Sequence, residues 1–344
     1  PMNRQHIYPL VWHQDHLLVI DQTRLPRELS IIEVRRFGDL IEAIERQIIQ
    51  GAELLRLAAA YGLCLQAEAL VESDRSAFLE QLRHSSQNLV ARAEVGAALQ
   101  IFRQEVERLT QGLTKQAGTV ADLKAILLQQ VQDSHRSQLQ RCYDLAEAGT
   151  KVLPSQPQAL RLLTYGNGGS LATVGYGTSL GVVRRLWNQN RLERVYIAET
   201  RPLLQGAKLA AWECAQEGIP VTVVADNAAA VLMQQGLVDA VVVGATAIAA
   251  NGDVIHDLGT YGLALVAKAH DLPFVVVAPQ EKLRSTLATG ADYSPATLSL
   301  EAWSQVHEIL LYPGEVSVYT RSEDVTPAAL ITAIVTENGV QTFP

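Results

Sequence analysis

The chain has 344 residues, 48% hydrophobic and 19% charged, an ordinary balance for a soluble globular protein with room for two cored domains. Its formal net charge of −8 lacks the basic excess that a nucleic-acid binder needs to neutralise phosphates. No apolar run is long enough to cross a bilayer, and the N-terminus carries no signal-peptide pattern.

Three cysteines, Cys64, Cys142 and Cys214, are scattered without metal-binding spacing and read as buried, reduced thiols of a cytoplasmic protein. No metal or cofactor is implied.

Ile7–Trp12 and Leu17–Ile20 flank the polar turn His13–His16 and predict a hairpin. From about Phe37 the periodicity is helical, with Leu40, Ile41, Ile44 and Ile48 spaced for one face. Further helices are predicted from about Glu53, over Phe78–Leu82, over Leu89–Val106 and over Val120–Ala146. Arg103, Glu105, Glu107 and Arg108 read as a solvated helix face. The prediction for residues 1–150 is a helical domain with a small β cap.

Pro154 and Pro157 mark a linker over Lys151–Gln158. Beyond it, strands are predicted at Leu160–Thr164, Val195–Ala198, Val221–Val224, Ala240–Gly244, Phe274–Ala278 and Val316–Tyr319. Helices fall between most of them, at Leu204–Glu217, Ala228–Gln235 and Thr260–His270. Short apolar strands alternating with helices predict an α/β fold for residues 151–344: a Rossmann-like, mostly parallel sheet covered on both faces.

Ligands of such sheets bind outside the carboxyl ends of the strands. Four polar turns fall there: Tyr165–Ser170, Glu199–Gln205, Asp226–Asn227 and Ala245–Asp257. The glycine-rich Gly166–Ser170 segment either cradles an anion or simply shapes a βα turn. Asp226-Asn227 reads as a cap of the following helix.

Several motifs then occur in order: Tyr176-Gly177-Thr178, Glu199-Thr200-Arg201-Pro202 running to Gln205-Gly206-Ala207, Asp226-Asn227, Gly236-Leu237-Val238-Asp239, Gly244-Ala245, Asn251-Gly252-Asp253 and Gly259-Thr260-Tyr261. Val19-Ile20-Asp21-Gln22, Gly51-Ala52 and Asp324-Val325-Thr326-Pro327-Ala328 extend the pattern over nearly the whole chain. This sequence resembles the methylthioribose-1-phosphate isomerase family, related to ribose-1,5-bisphosphate isomerase and to the alpha, beta and delta subunits of translation initiation factor 2B. The resemblance implies a homodimer, and conversion of a cyclic sugar 1-phosphate to an open ketose phosphate. It implies two catalytic groups, a cysteine in the first glycine-rich turn and an aspartate after the fourth strand.

The matching positions here are Gly166 and Thr246, neither of which can exchange a proton at neutral pH. Where the family pattern has an arginine before Gly51-Ala52 this chain has Gln50, and His256-Asp257 stands where it has an asparagine and a lysine. Arg83, Gln205, Gly51, Ala52, Asn167, Gly168, Asn251 and Asp253 remain as ligand-binding candidates. Arg83 and Gln205 are open to either a residual anion site or structural hydrogen bonds. Arg201 could hold the Glu199 loop or a dimer contact, and His256 and Asp257 read as solvated loop residues rather than as the new pair they could also form.

The expectation is a catalytically degenerate relative that senses a small sugar phosphate or scaffolds a protein partner. The alternative is an active isomerase on methylthioribose 1-phosphate or a related sugar phosphate, with Asp253, His256 or Asp257 as substitute acid/base groups.

Overall fold

In a computed structural model that describes residues 6–92, 97–295, 297–306 and 309–343, the periodicities of the sequence become two kinds of layer. The chain clusters into two compact units, residues 6–140 with 170–176, and residues 141–169 with 177–343. Among the described residues no helix is long and apolar enough to cross a membrane.

The first unit opens with an antiparallel sheet, β1 (Leu10–His13), β2 (His16–Ile20) and β3 (Ile31–Val34). The predicted hairpin closes through His13↔His16, with Gln14 at φ 57. Among the described residues the helices α1 (Phe37–Glu45), α2 (Ala52–Ala69), α3 (Arg75–Arg92) and α4 (Ala97–Thr114) follow, then α5 (Val120–Lys151), whose residues from 141 onward belong to the second unit. Alpha-helix α1 ends before Ile48. The predicted Leu89–Val106 helix divides between α3 and α4, and its middle lies outside the described residues. Glu105 departs from the solvated face: it is 7% exposed and takes two hydrogen bonds from the Arg108 guanidinium, at 2.6 and 2.9 Å.

In the second unit a seven-stranded sheet runs in the order β16-β15-β10-β7-β4-β5-β6. Its strands are β4 (Leu160–Tyr165), β5 (Leu192–Ala198), β6 (Val221–Val224), β7 (Ala240–Val243), β10 (Phe274–Val277), β15 (Ala333–Thr336) and β16 (Gly339–Gln341). All neighbours are parallel except β15 and β16. Alternate residues feed opposite faces, as a period of two requires. Leu162, Val242, Val275 and Val277 enter one core cluster, while Leu163, Val241, Val243 and Val276 enter the other. Helices α6 (Ser179–Asn188), α7 (Ala211–Gln216), α8 (Ala229–Gln234) and α9 (Thr260–Ala269) alternate with these strands.

Two predictions fail here. Val316–Tyr319 forms no strand; Val316 and Tyr319 are 51% and 70% exposed. The Ala245–Asp257 stretch is not a turn but a hairpin of β8 (Ala247–Ala249) and β9 (Val254–Asp257). It joins β11 (Leu283–Arg284) and β14 (Glu323–Thr326) in a second sheet, ordered β11-β8-β9-β14. A short α10 (Leu300–Ser304) and the paired β12 (Gln305–Val306) and β13 (Ile309–Leu310) complete the described elements.

Helices α6 and α7 are locked by a buried ion cluster. Arg184 Nη2 donates to Glu213 Oε2 at 2.7 Å, and Arg184 Nε donates to Glu217 Oε2 at 2.8 Å. The Arg184 and Glu213 side chains are almost wholly removed from solvent. Removing one partner strands charge in a low-dielectric interior, so Arg184→Leu is expected to destabilise the protein by about 3–5 kcal/mol in urea unfolding; a loss below about 1 kcal/mol would contradict this role.

Candidate functional site

The carboxyl ends of β4 and β7 lie side by side, since Tyr165 pairs with Val243. Beyond β4 the chain turns at Gly166, φ +89, and does not enter a helix at once. Gly175 and Gly177 also hold positive φ, and α6 begins only at Ser179. The Gly168 carbonyl accepts the Thr178 and Leu180 amides at 2.9 and 3.2 Å, folding the turn onto the helix entry. A Cβ at Gly168 would strike the Ser179 side chain, and one at Gly169 would strike the Glu213 carboxylate. These glycines permit close approach of backbone to side chain, a requirement no larger residue meets. Ser179 Oγ, buried against Gly168, has no hydrogen-bond partner among the described residues.

The space beside Gly166 is filled. A Cβ there would lie 2.5 Å from His256 Cε1, 2.6 Å from Asp257 Oδ2 and 3.1 Å from His256 Nε2. His256 is therefore no solvated loop residue: it stands in β9 with 7% exposure. It is buried because β14 pairs along β9, setting Asp324 opposite His256. Tyr165 ties the next loop down, its hydroxyl donating to the Leu258 carbonyl. Burial, helped by the Asp257 and Asp226 carboxylates, raises the Tyr165 hydroxyl pKa and keeps it a donor.

Thr260 settles the imidazole tautomer. Its hydroxyl donates to the Asp257 carbonyl at 2.6 Å. The single hydroxyl hydrogen is spent there, so at 2.9 Å the oxygen accepts from His256 Nδ1. The neutral ring then carries its proton on Nδ1 and presents a bare Nε2 towards Gly166 and Gly244. Asp324 caps α9, accepting from the Gly259 and Tyr261 amides at 2.7 and 3.1 Å. Burial pushes the Asp324 carboxyl up, against the pull of those amides and of the His256 and Arg321 charges.

Other candidates are placed differently. Asn251 and Asp253 sit at the opposite end of β9. Asp253 accepts from Asn251 Nδ2 at 2.9 Å, Ala328 N at 3.0 Å and Gly290 N at 3.1 Å. Burial raises its pKa, yet those bonds outweigh it and hold the carboxyl below its ordinary value. Asp253 is thus committed to pinning loops. Thr246 N donates to the Ile255 carbonyl at 2.8 Å within the second sheet.

Asn167 and Gln205 are half-buried in this unit. Glu199 accepts the Thr200 and Ala207 amides at 2.8 and 3.2 Å. Arg201 donates to the Trp303 carbonyl at 2.7 Å rather than holding Glu199. Among the described residues Asp226 takes only the neighbouring Asn227 amide, and no side chain caps α8.

In the first unit Arg83 is exposed on α3, donating to Gln87 Oε1 at 3.2 Å. Gly51, φ +100, packs on the Ala172 backbone and starts α2 at Ala52. The thiols offer no substitute nucleophile, because burial pushes Cys64 and Cys214 up to about 12. Among the described residues no group of three or more His, Cys, Asp or Glu side chains is placed to hold a metal.

Residues 48–343 match the Initiation factor 2 subunit family. The chain belongs to that family. It is 47% identical to a methylthioribose-1-phosphate isomerase of Nostoc sp., over 97% of this chain and 95% of the relative. The Trichodesmium erythraeum protein of the same name is 41% identical over 97% and 94%. Among solved structures, 5-methylthioribose 1-phosphate isomerase from Pyrococcus horikoshii superposes with a TM-score of 0.91 at 32% identity, over 98% of this chain and 92% of that one. Translation initiation factor eIF-2B, subunit delta, from A. fulgidus gives 0.89 at 34%, over 97% and 95%.

These likenesses overturn the expectation of a degenerate, non-enzymatic relative, since close, full-length relatives bear an enzyme's name. That expectation treated the turn at Gly166 as chemically empty, whereas an imidazole and a carboxylate fill it. The missed groups are Thr178, Ser179, Thr260 and Asp324. Thr178, Thr260 and Asp324 lie in motifs that the sequence singles out, but nothing in the sequence gives them a place in the site.

Gly166→Ala is expected to cost about 1–3 kcal/mol in chemical unfolding, from positive φ and overpacking against His256. A variant as stable as the parent would mean that the pocket beside Gly166 has slack.

Proposed function

We propose that this protein isomerises methylthioribose 1-phosphate, a cyclic sugar 1-phosphate, to the open-chain ketose phosphate, a step of methionine salvage. The observation that carries the reading is 41–47% identity to methylthioribose-1-phosphate isomerases over at least 96% of the chain. The site chemistry supports it. Aldose–ketose isomerisation needs a positioned proton acceptor in a water-poor crevice, and a buried imidazole with a bare nitrogen stands at the strand ends. The Thr178 hydroxyl, beside Gly244, offers a hydrogen bond to a polyhydroxylated substrate. A cytoplasmic setting suits a phosphorylated metabolite and three buried cysteines, none of them in a disulfide.

Purified protein incubated with methylthioribose 1-phosphate should form the ketose phosphate until equilibrium, followed by NMR. No ketose with enzyme in stoichiometric amount would refute the proposal.

A further inference from the structure

From β4 the chain winds outward through β5 and β6, then returns to β7 and continues through β10 to β15 on the other side. The winding reverses between β4 and β7, the place at which open α/β sheets in general bind their ligands. Gly166 follows β4 and Gly244 follows β7. His256 Nε2 lies 3.1 Å from the Cβ position of the first and 3.5 Å from that of the second. Thr178 Oγ1 lies 3.4 Å from the same point at Gly244. The side-chain-free ends of both strands therefore face one imidazole nitrogen.

We infer that His256 is the catalytic base that carries hydrogen between the two sugar carbons, and that Thr260 is its positioning residue; the inference rests on the isomerase reading above. Nε2 takes the proton from C2. The C–H electron pair becomes the C1=C2 bond, the C1–O4 ring bond breaks, and O4 takes a proton from a water molecule. The hydroxide left behind takes the O2 proton as C2=O forms, and Nε2 returns its proton to C1. No atom or electron is gained or lost overall.

The imidazolium formed on the way has carboxylates on two sides. Asp257 Oδ2 converges on the same Gly166 position, and Asp324 stands across the β9–β14 ladder. Asp253 is excluded from the role, because its carboxylate is already engaged by three donors at the far end of β9.

The test uses the full chain and four proteins: wild type, His256→Ala, Thr260→Val and Thr260→Ser. Ketose formation from methylthioribose 1-phosphate and calorimetric affinity for it are both measured. The wild type turns over, and His256→Ala loses about 10²–10⁴-fold in kcat with affinity held within about threefold. Added imidazole restores part of that rate, which a merely structural histidine would not show. Thr260→Val keeps the side-chain shape but cannot accept from Nδ1, and lowers kcat about tenfold at unchanged KM, while Thr260→Ser retains the rate.

If His256→Ala fails to fold, the two Thr260 variants still decide. A rate within about threefold of wild type in His256→Ala, or in Thr260→Val where His256→Ala does not fold, overturns the role of His256 and leaves the isomerase reading standing. A wild type that makes no ketose overturns the isomerase reading, and this inference with it.

Discussion

The buried pairing of Arg184 with Glu213 is the constraint on which the working end of the α/β unit depends. The guanidinium reaches from α6 to two carboxylates of the following α7 segment. The Glu213 carboxylate lies where a side chain at residue 169 would be. Charges so deep are tolerated only when each is matched. The pairing therefore fixes the depth of the glycine turn, and with it the entry to α6. Gly168 completes the arrangement, accepting two amides of that entry while Ser179 packs on its other side.

On that fixed floor, the second sheet supplies the chemistry. Strand β9 delivers His256 and Asp257 to the volume beside Gly166, and β14 closes over it with Asp324. Tyr165 and Thr260 hold the intervening loop and ring. Gly166 and the pair His256-Asp257, ninety residues apart in the chain, are thus in contact, and the bare glycine leaves room for the imidazole and the carboxylate.

The parallel sheet was legible because β4, β7 and β10 are short runs of Leu and Val buried on both faces, punctuated by glycines and amphipathic helices. The positions of Gly166, Gly244 and the strand ends followed from that pattern. What was hidden depends on partners far along the chain. Strand β8 has three residues and β9 four, too few for a periodic signal, and β9 is completed by β14 some seventy residues later. His256 sits in a stretch rich in Asn, Gly and Asp, so its composition reads as loop; the β14 ladder and the glycine ends of β4 and β7 that flank it lie elsewhere in the chain. Val316–Tyr319 misled in the opposite sense, with strand-like residues that find no ladder. Glu105 was hidden likewise, since sequence spacing does not show that Arg108 folds over it.

Proton transfer by His256 depends on which of its nitrogens carries the proton. Nitrogen-15 NMR of histidine-labelled protein, with the His256 signals assigned by difference from His256→Ala, reads this directly. In the neutral ring the account predicts a protonated Nδ1 and a bare Nε2. A ring protonated on Nε2 instead would contradict it, because the nitrogen facing the strand ends could then accept nothing.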